Sequence, residues 1–299
     1  MWISGISCIF LYRRIGICLS GNAVIGFLVA VGCGIVALFF SQWLAPKWGE
    51  FFGLEGTTCT TLAFCAWVYP VTYGLNKIID LIPGLRDVDV NVDKLGKKLG
   101  IFGDPAVIGL LVGVFLALLT RQDLGALLTI GMGVAASMVL IPRMVSVMME
   151  GLTPMGNAAN DYMHRKIGDD ADIYIGMDIA LGLGDPACIT CSAIMIPVTI
   201  LLAFLIPDMR FFPLGILAEV CYLAPMCVLT SKGNIFRTLI CMTVMMFITL
   251  FFANMFIPEA TQMLSVTGVK FEGLVTASHF GWNPGNLLVS LLHRLFGML

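Results

Sequence analysis

The sequence predicts an all-α membrane protein whose chain crosses the bilayer several times. Hydrophobic residues make up 59% of the 299 residues, and the mean hydropathy is +0.95. Charged residues make up only 12%, against about 25% in soluble domains. Apolar runs of about 20 residues, enough to span the hydrocarbon core, recur along the chain. A soluble globular domain is therefore excluded, and a net charge of −2 gives no reason to expect a nucleic-acid partner.

Seven or eight membrane segments are expected from these apolar runs. The first follows Arg13 and Arg14 in an uncharged stretch from Ile15 to Pro46. That stretch is longer than the roughly 7–15 apolar residues of a secretory signal, so we interpret it as a spanning helix. The candidate segments, the last of them partial, are 21–40, 56–76, 105–120, 124–142, 179–207, 211–230, 238–257 and 284–299.

Two of the candidate segments are expected to be broken or re-entrant. Residues 56–76 are rich in threonine and contain Pro70. Residues 179–207 are too long for one straight span and contain Pro186 and Pro197. Irregular backbone at membrane depth is tolerated only where it is buried in protein or lines a cavity. Both segments are therefore predicted to lie in the interior of the protein.

The charged connections predict the orientation of a single transmembrane domain over residues 1–299. With residues 105–120 and 124–142 as a hairpin, the three polar stretches fall on one face of the membrane. That face carries ten lysine and arginine residues, against three on the opposite face. Cytoplasmic loops carry the excess of basic residues. We therefore expect cytoplasmic polar loops at about 77–104, 143–172 and 231–237.

One motif in the second broken segment combines a carboxylate with helix-breaking residues. The pattern Gly-Asp-Pro-Ala-x-Ile occurs at Gly103–Ile108 and again at Gly184–Ile189. Aspartate followed by proline is typical of a helix N-terminus, and we interpret Asp104, at the end of a polar stretch, as such a cap. Asp185 lies inside an apolar run, where a carboxylate is expensive unless it faces a cavity or a partner. Discontinuous helices form the binding sites of transporters, so capping and substrate binding both stay open for Asp185.

Three further polar residues are candidates for a substrate site. Glu219 lies in the middle of an apolar run, where an ion pair with Arg210 is the alternative to a functional role. Glu55 stands beside threonines at positions 57, 58, 60 and 61, whose hydroxyls either meet a polyol or bond back to their own helix. No catalytic residue, metal site or cofactor is predicted, and the three histidines receive no functional role. The predicted substrate-binding residues are Asp185, Gly184, Pro186, Glu55, Thr57 and Glu219.

Two other patterns carry less weight. Residues 182–185 match the G-x-G-D pattern of intramembrane aspartyl proteases, which need a second embedded aspartate to share a proton. Neither Asp178 nor Asp104 is a convincing partner, so a protease is a remote alternative. Cys188 and Cys191 have redox or zinc spacing without a second pair. Most of the ten cysteines are better interpreted as small buried hydrophobes.

Six motifs follow one another in a specific order between residues 43 and 240, inside a region of roughly residues 20–295 that carries the resemblance. They are WLAPKWGEFFGLEG (43–56), GLNKIIDLIPGL (74–85), KLGIFGDPAVIGLLVG (98–113), LIPRMVSVMMEGLTPM (140–155), IYIGMDIALGLGDPACITCSAIMIPVTILLAFLIPD (173–208) and SKGNIFRTLI (231–240). In order and spacing they resemble the galactitol-type enzyme IIC permeases of the bacterial phosphoenolpyruvate-dependent sugar phosphotransferase system.

The resemblance implies a multi-pass permease of the bacterial inner membrane, with an inverted-repeat fold and a homodimeric assembly. It implies a hexitol such as galactitol as the substrate, which is phosphorylated during uptake. The phosphoryl donor would be a separate enzyme IIB with a phosphocysteine, charged by an enzyme IIA with a phosphohistidine. The chain itself is expected to be a permease subunit and not an enzyme.

Two departures from the family pattern lead to further expectations. Family members are longer at both ends, so the chain is expected to be truncated, with part of its fold missing at the N-terminus. Relatives usually have histidine or asparagine where this chain has Asp185, so its preference among hydroxyl substrates is expected to differ. The main alternative is an ion-coupled secondary transporter in which Asp185 and Glu219 carry the coupling proton.

Overall fold

The computed structural model describes residues 23–53, 56–61, 63–86, 88, 105–119, 121, 123–167, 174–265, 272–277 and 279–295. These residues form ten α-helices, and the predicted all-α membrane class fits them. The number of membrane segments and the inverted repeat stay predictions. The helices are α1 (Ala23–Phe52), α2 (Tyr69–Leu81), α3 (Pro105–Leu119), α4 (Leu124–Ile167), α5 (Pro186–Leu205), α6 (Leu214–Thr230), α7 (Ile235–Met255), α8 (Ile257–Ser265), α9 (His279–Trp282) and α10 (Pro284–Leu295).

Among the described residues, three helical stretches are long and apolar enough to cross a membrane. They are Gly26–Phe52 in α1, Pro186–Leu205 in α5 and Ile235–Met255 in α7. Residues 23–40 of α1 are apolar around the whole helix, and the Leu38 and Phe39 side chains are 65% and 66% exposed. Such a surface suits lipid contact. The main core lies where α5, α6 and α7 pack together, with methionine and leucine side chains fully buried between them.

The first segment predicted to be broken is interrupted twice. It begins as strand β1 (Thr57–Cys59), continues through a π-helical turn (Phe64–Val68) and becomes regular only in α2. Pro70 occupies the first turn of α2, where a missing N–H costs the helix no hydrogen bond.

The second segment predicted to be broken is interrupted before α5. A second strand, β2 (Ile175–Met177), leads into a 3-10 turn (Ile179–Gly184), and regular helix starts only after Asp185. The two three-residue strands are the departures from an all-helical fold among the described residues.

One polar stretch that the sequence predicts as a loop is largely helical. Helix α4 continues to Ile167, so residues 143–167 extend the second arm of the predicted hairpin. With 44 residues, α4 is about 66 Å long, more than twice the thickness of the hydrocarbon core. The physical reason is that nucleation is the costly step of helix formation, so a helix established over the apolar residues 124–142 propagates easily.

The hairpin of α3 and α4 is held together by a close approach of two glycines. A Cβ atom added to Gly113 would lie only 2.8 Å from the Cα of Gly131. Small residues let membrane helices pack with their backbones in contact. The pairing of residues 105–120 with 124–142, expected from the sequence, therefore has a defined contact point.

Several helix ends meet at one end of the bundle, around the turn formed by residues 231–234. Asp80 near the end of α2 pairs with Arg237 in the first turn of α7 at 2.7 Å. Asn76 of α2 contacts Ser231 at 3.3 Å, and the ring of Phe51 packs against Gly233. We call this end of the bundle the polar end.

Gly281→Ala is expected to disrupt the packing of α9 against α7. The added Cβ would collide with the carbonyl oxygen of Thr249 and lie 2.6 Å from the Cα of Thr249, and neither backbone atom can move by a rotamer change. We expect a loss of about 1–3 kcal/mol, the cost typical of overpacking, measured by thermal unfolding in detergent.

Gly74→Ala in α2 is the control for this change. No described atom lies within 4 Å of the Cβ that it would add. Alanine in a helix interior is favoured over glycine by about 0.5–1 kcal/mol, so this variant should be unchanged or slightly stabilised. Equal destabilisation of the two variants would contradict the contact between α9 and α7.

Candidate functional site

Strands β1 and β2 pair in parallel and join the two broken segments. Their register aligns Thr57–Cys59 with Ile175–Met177. Beyond the strands, the backbone N–H of Ile179 donates to the hydroxyl of Thr61 at 3.1 Å. These two residues are 118 positions apart in the chain. The structure therefore places the threonine-rich stretch beside the segment that leads into Gly184, although sequence reasoning selected the two stretches separately.

Helix α1 anchors strand β1 through side chains. The Ser41 hydroxyl donates to the carbonyl oxygen of Cys59, and the Thr58 hydroxyl donates to the carbonyl oxygen of Ser41 at 2.6 Å. All three residues are buried. Unpaired backbone groups are costly at membrane depth, and these hydroxyls supply part of the pairing that a larger sheet would provide.

Asp185 caps helix α5. Its Oδ1 accepts from the N–H groups of Ala187 at 2.8 Å and Cys188 at 3.3 Å. Its own carbonyl oxygen accepts from Ile189 at 3.3 Å. The capping interpretation is therefore correct for this residue. Because the cap occupies the first N–H groups of α5, the carboxylate itself is the group that can meet a substrate hydroxyl.

The 3-10 turn before Asp185 is pressed against α6. A Cβ added to Gly182 would lie 2.7 Å from the Cβ of Pro225 and 3.2 Å from the ring of Phe52. Any larger residue would push the turn away from α6. The close packing at Gly182 therefore determines how near the turn that ends at Asp185 lies to α6.

Two acidic residues lie on elements that pack against each other. Asp178 is the N-cap of the 3-10 turn, Glu219 is on α6, and Tyr222 of α6 is 36% exposed. The Oδ1 of Asp178 also accepts from the N–H of Ala180 at 2.9 Å, which caps the 3-10 turn. Sequence reasoning missed Tyr222, although its position three residues after Glu219 places both on one helix face.

The substrate-site residues predicted from the sequence occupy three places in the fold. Residues 184–186 stand at the start of α5, with Asp185 half-buried and Pro186 exposed. Glu219 is half-buried on α6, which packs against the 3-10 turn. Thr57 is only 6% exposed, so it is the least accessible of the set. Glu55 lies outside the described residues.

A groove of about 410 Å³ lies between α4 and α5. It is lined by residues 130–137 of α4 and 189–196 of α5, and its polar groups are the hydroxyls of Ser137 and Ser192. Both hydroxyls donate to carbonyls of their own helices, at 2.9 and 2.6 Å. The groove therefore offers few partners to a polar molecule, and the carboxylates near α5 and α6 are the better candidate site.

Helix α10 carries a buried polar face that sequence reasoning did not identify. Asn283, Asn286, Ser290 and His293 are all buried and recur at spacings of three and four residues. Among the described residues, the Ser290 hydroxyl and both ring nitrogens of His293 have no hydrogen-bond partner. The helical spacing is the signal that could have revealed this face, since polar residues at membrane depth usually have a role.

Apolar helices, two interrupted segments and a carboxylate at a half-buried helix start are features that membrane transport proteins share. The family model EIIC-GAT, the sugar-specific permease component of the PTS (phosphotransferase) system, matches residues 2–273. The chain belongs to this permease family.

Curated relatives support the same assignment. The chain is 33% identical to the PTS system galactitol-specific EIIC component of Escherichia coli K12 over 266 residues, 89% of this chain and 58% of that protein. The protein of the same description from Escherichia coli O157:H7 gives the same figures. A putative permease IIC component of Escherichia coli K12 is 28% identical over 277 residues, 90% of this chain and 63% of that protein. The chain thus spans about three fifths of the length of these relatives, and no solved structure shows a significant match.

Proposed function

We propose that the chain binds and translocates a hexitol such as galactitol as part of a membrane permease. The observation that carries the proposal is the parallel pairing of β1 with β2, because it sets two polar, interrupted segments side by side inside an apolar bundle. Transporters place discontinuous helices at their substrate sites in this way. We assign the substrate contacts to Asp185, Gly184 and Pro186, with contributions from Glu55, Thr57 and Glu219.

The chemistry of these residues suits a neutral polyol. A carboxylate accepts several hydrogen bonds, so Asp185 can cap α5 and still accept from a substrate hydroxyl. A hydrogen bond to a charged group contributes roughly 1.5–3 kcal/mol, more than a bond between neutral groups. Glu219 of α6 would supply a second acceptor, and the Tyr222 hydroxyl can either donate or accept.

Partners and location follow from the family. The permease would act in the bacterial inner membrane as a homodimer, with its polar stretches in the cytoplasm. A separate enzyme IIB, charged by enzyme IIA, would phosphorylate the hexitol during uptake. The names of the relatives from Escherichia coli support galactitol as the first substrate to test.

Uptake of radiolabelled galactitol is expected to depend on phosphoenolpyruvate and on the partner proteins. Membrane vesicles containing the chain, enzyme IIB and enzyme IIA, supplied with phosphoenolpyruvate and the general proteins that pass its phosphoryl group to enzyme IIA, should accumulate the label as a phosphate ester. A protonophore should leave the rate unchanged. Matched vesicles without enzyme IIB should accumulate none. Accumulation of unmodified galactitol that a protonophore abolishes would contradict phosphorylation-coupled uptake.

An ion-coupled secondary transporter is the second candidate function. The observation that favours it is that Asp185 at the start of α5 and Glu219 on α6 are half-buried carboxylates on two helices that pack together. Carboxylates grouped inside a membrane protein are the usual parts of a proton relay. The uptake experiment separates the two candidates, because only the secondary transporter leaves its substrate unmodified and responds to the protonophore.

A further inference from the structure

The ammonium group of Lys47 in α1 lies among three aromatic rings. Its Nζ is 5.0 Å from the ring centroid of Trp43, 5.5 Å from that of Tyr69 and 4.8 Å from that of Tyr73. It also donates to the Tyr69 hydroxyl at 2.8 Å. We call these three residues the aromatic cage. The rings attract the cation by their negative faces.

A second ammonium group approaches the same cage from α2. The Nζ of Lys77 lies 4.9 Å from the ring centroid of Tyr73, and the Lys77 side chain is exposed. No carboxylate of the described residues forms a salt bridge with Lys47 or Lys77. Two like charges beside one ring repel each other, and an anion between them would turn this repulsion into attraction.

The two lysines lie near the polar end of the bundle. Lys77 follows Asn76, which contacts the 231–234 turn, and Lys47 comes one helical turn before Phe51, which packs against the same turn. A polar turn between two apolar helices is expected at a membrane surface. The cage is therefore at the depth where lipid headgroups begin, and tryptophan and tyrosine are enriched at that depth.

An apolar surface adjoins the cage on the side of the membrane interior. Leu38 and Phe39 of α1 are largely exposed, and Trp43, one turn further on, is 39% exposed. A molecule whose charged part lies on the lysines can therefore place an apolar part along α1. Inorganic phosphate and sugar phosphates have the same charged part but no such apolar part.

We propose that Lys47, Lys77 and the aromatic cage bind the phosphate group of an anionic phospholipid. The ammonium groups donate to the phosphate oxygens, and the acyl chains lie along the exposed face of α1. A soluble phosphate offers the same oxygens to the lysines. The apolar face beside the cage is the feature that favours the lipid.

The test measures lipid binding to the purified chain in neutral detergent by native mass spectrometry. Dioleoylphosphatidylglycerol is the anionic probe and dioleoylphosphatidylcholine is the zwitterionic control. An interfacial lysine contributes about fivefold to the binding of an anionic lipid, so Lys47→Gln and Lys77→Gln should each weaken phosphatidylglycerol binding about fivefold. The double variant should weaken it about thirtyfold, with phosphatidylcholine binding unchanged.

Lys166→Gln is the matched control, because Lys166 is exposed and lies 5.7 Å from the ring centroid of Tyr162 alone. It should bind phosphatidylglycerol like the unmodified chain. Equal binding of the two lipids, or no loss in Lys77→Gln, would overturn the proposal. A loss in Lys166→Gln as large as in Lys77→Gln would overturn it too. If inorganic phosphate at millimolar concentration displaces phosphatidylglycerol, the lysines form a phosphate site but the lipid assignment is wrong.

Discussion

Arg294→Met is expected to destabilise the protein by about 3–5 kcal/mol, the cost of breaking a buried ion pair from one side. The Nε of Arg294 donates to Oε1 of Glu259 at 2.6 Å, and its Nη2 donates to Oε2 at 3.1 Å. The guanidinium also donates to the carbonyl of Met255. Glu259 is 0% exposed, so methionine leaves its carboxylate without a counter-charge in a medium of low dielectric constant. Unfolding in detergent micelles measures the effect.

Arg237→Met is the control for this change. Arg237 also pairs with a carboxylate, at 2.7 Å, but its partner Asp80 is mostly exposed. The Asp80 side chain is 54% exposed, so water can solvate its carboxylate once Arg237 is replaced, and this variant should lose less stability than Arg294→Met. The double variant Glu259→Gln/Arg294→Met should recover part of the loss, since no unpaired charge then remains. Similar losses of stability in Arg294→Met and Arg237→Met would show that burial of the carboxylate does not determine the cost of removing its arginine.

Asp185→Asn is expected to weaken hexitol binding by about ten- to a hundredfold. Both cap bonds of Asp185 to the N–H groups of α5 go to Oδ1, so the amide oxygen of asparagine can reproduce them. The change removes the charge and converts the other acceptor oxygen into a donor. Loss of a bond to a charged group, roughly 1.5–3 kcal/mol, corresponds to that fall in affinity. Binding of radiolabelled galactitol to the chain in lipid nanodiscs measures it.

Asp123→Asn is the matched control for Asp185→Asn. Asp123 is exposed and precedes α4, where its Oδ2 accepts from the N–H of Gly125 at 3.2 Å. It is therefore a cap without a place in the proposed site, and its replacement should leave galactitol affinity unchanged. Asp104→Asn, at the other Gly-Asp-Pro motif, should do the same. Equal losses at Asp185 and Asp123, or no loss at Asp185, would assign Asp185 a purely structural role.

One expected interruption was wrong: α5 runs through Pro197 to Leu205, because membrane helices tolerate proline where neighbouring groups satisfy the freed backbone carbonyl. The start of α5 could be predicted because its cause is local: Asp185-Pro186 combines a favoured N-cap residue with a favoured first helical residue. Such preferences act within one helical turn, whatever the rest of the chain does. A helix start of this kind can therefore be predicted from the sequence alone.

The contacts that assemble the candidate site could not be predicted in the same way. Strands of three residues are too short to show an alternating pattern, and the partner of Thr57–Cys59 lies more than a hundred residues away. The contact between Gly182 and Pro225 likewise depends on how the 3-10 turn packs against α6. These relations arise from tertiary packing, on which local propensities carry no information.

The parallel ladder between β1 and β2 has a mechanical consequence. A force along the strand axes acts on all the hydrogen bonds between β1 and β2 at the same time. A force perpendicular to the strands breaks these hydrogen bonds one after another. Strand β1 is fastened to α1 through Ser41, and β2 runs directly into the turn before α5. A displacement of β2 along its own axis is therefore resisted by the whole ladder at once, and the load passes through β1 to α1.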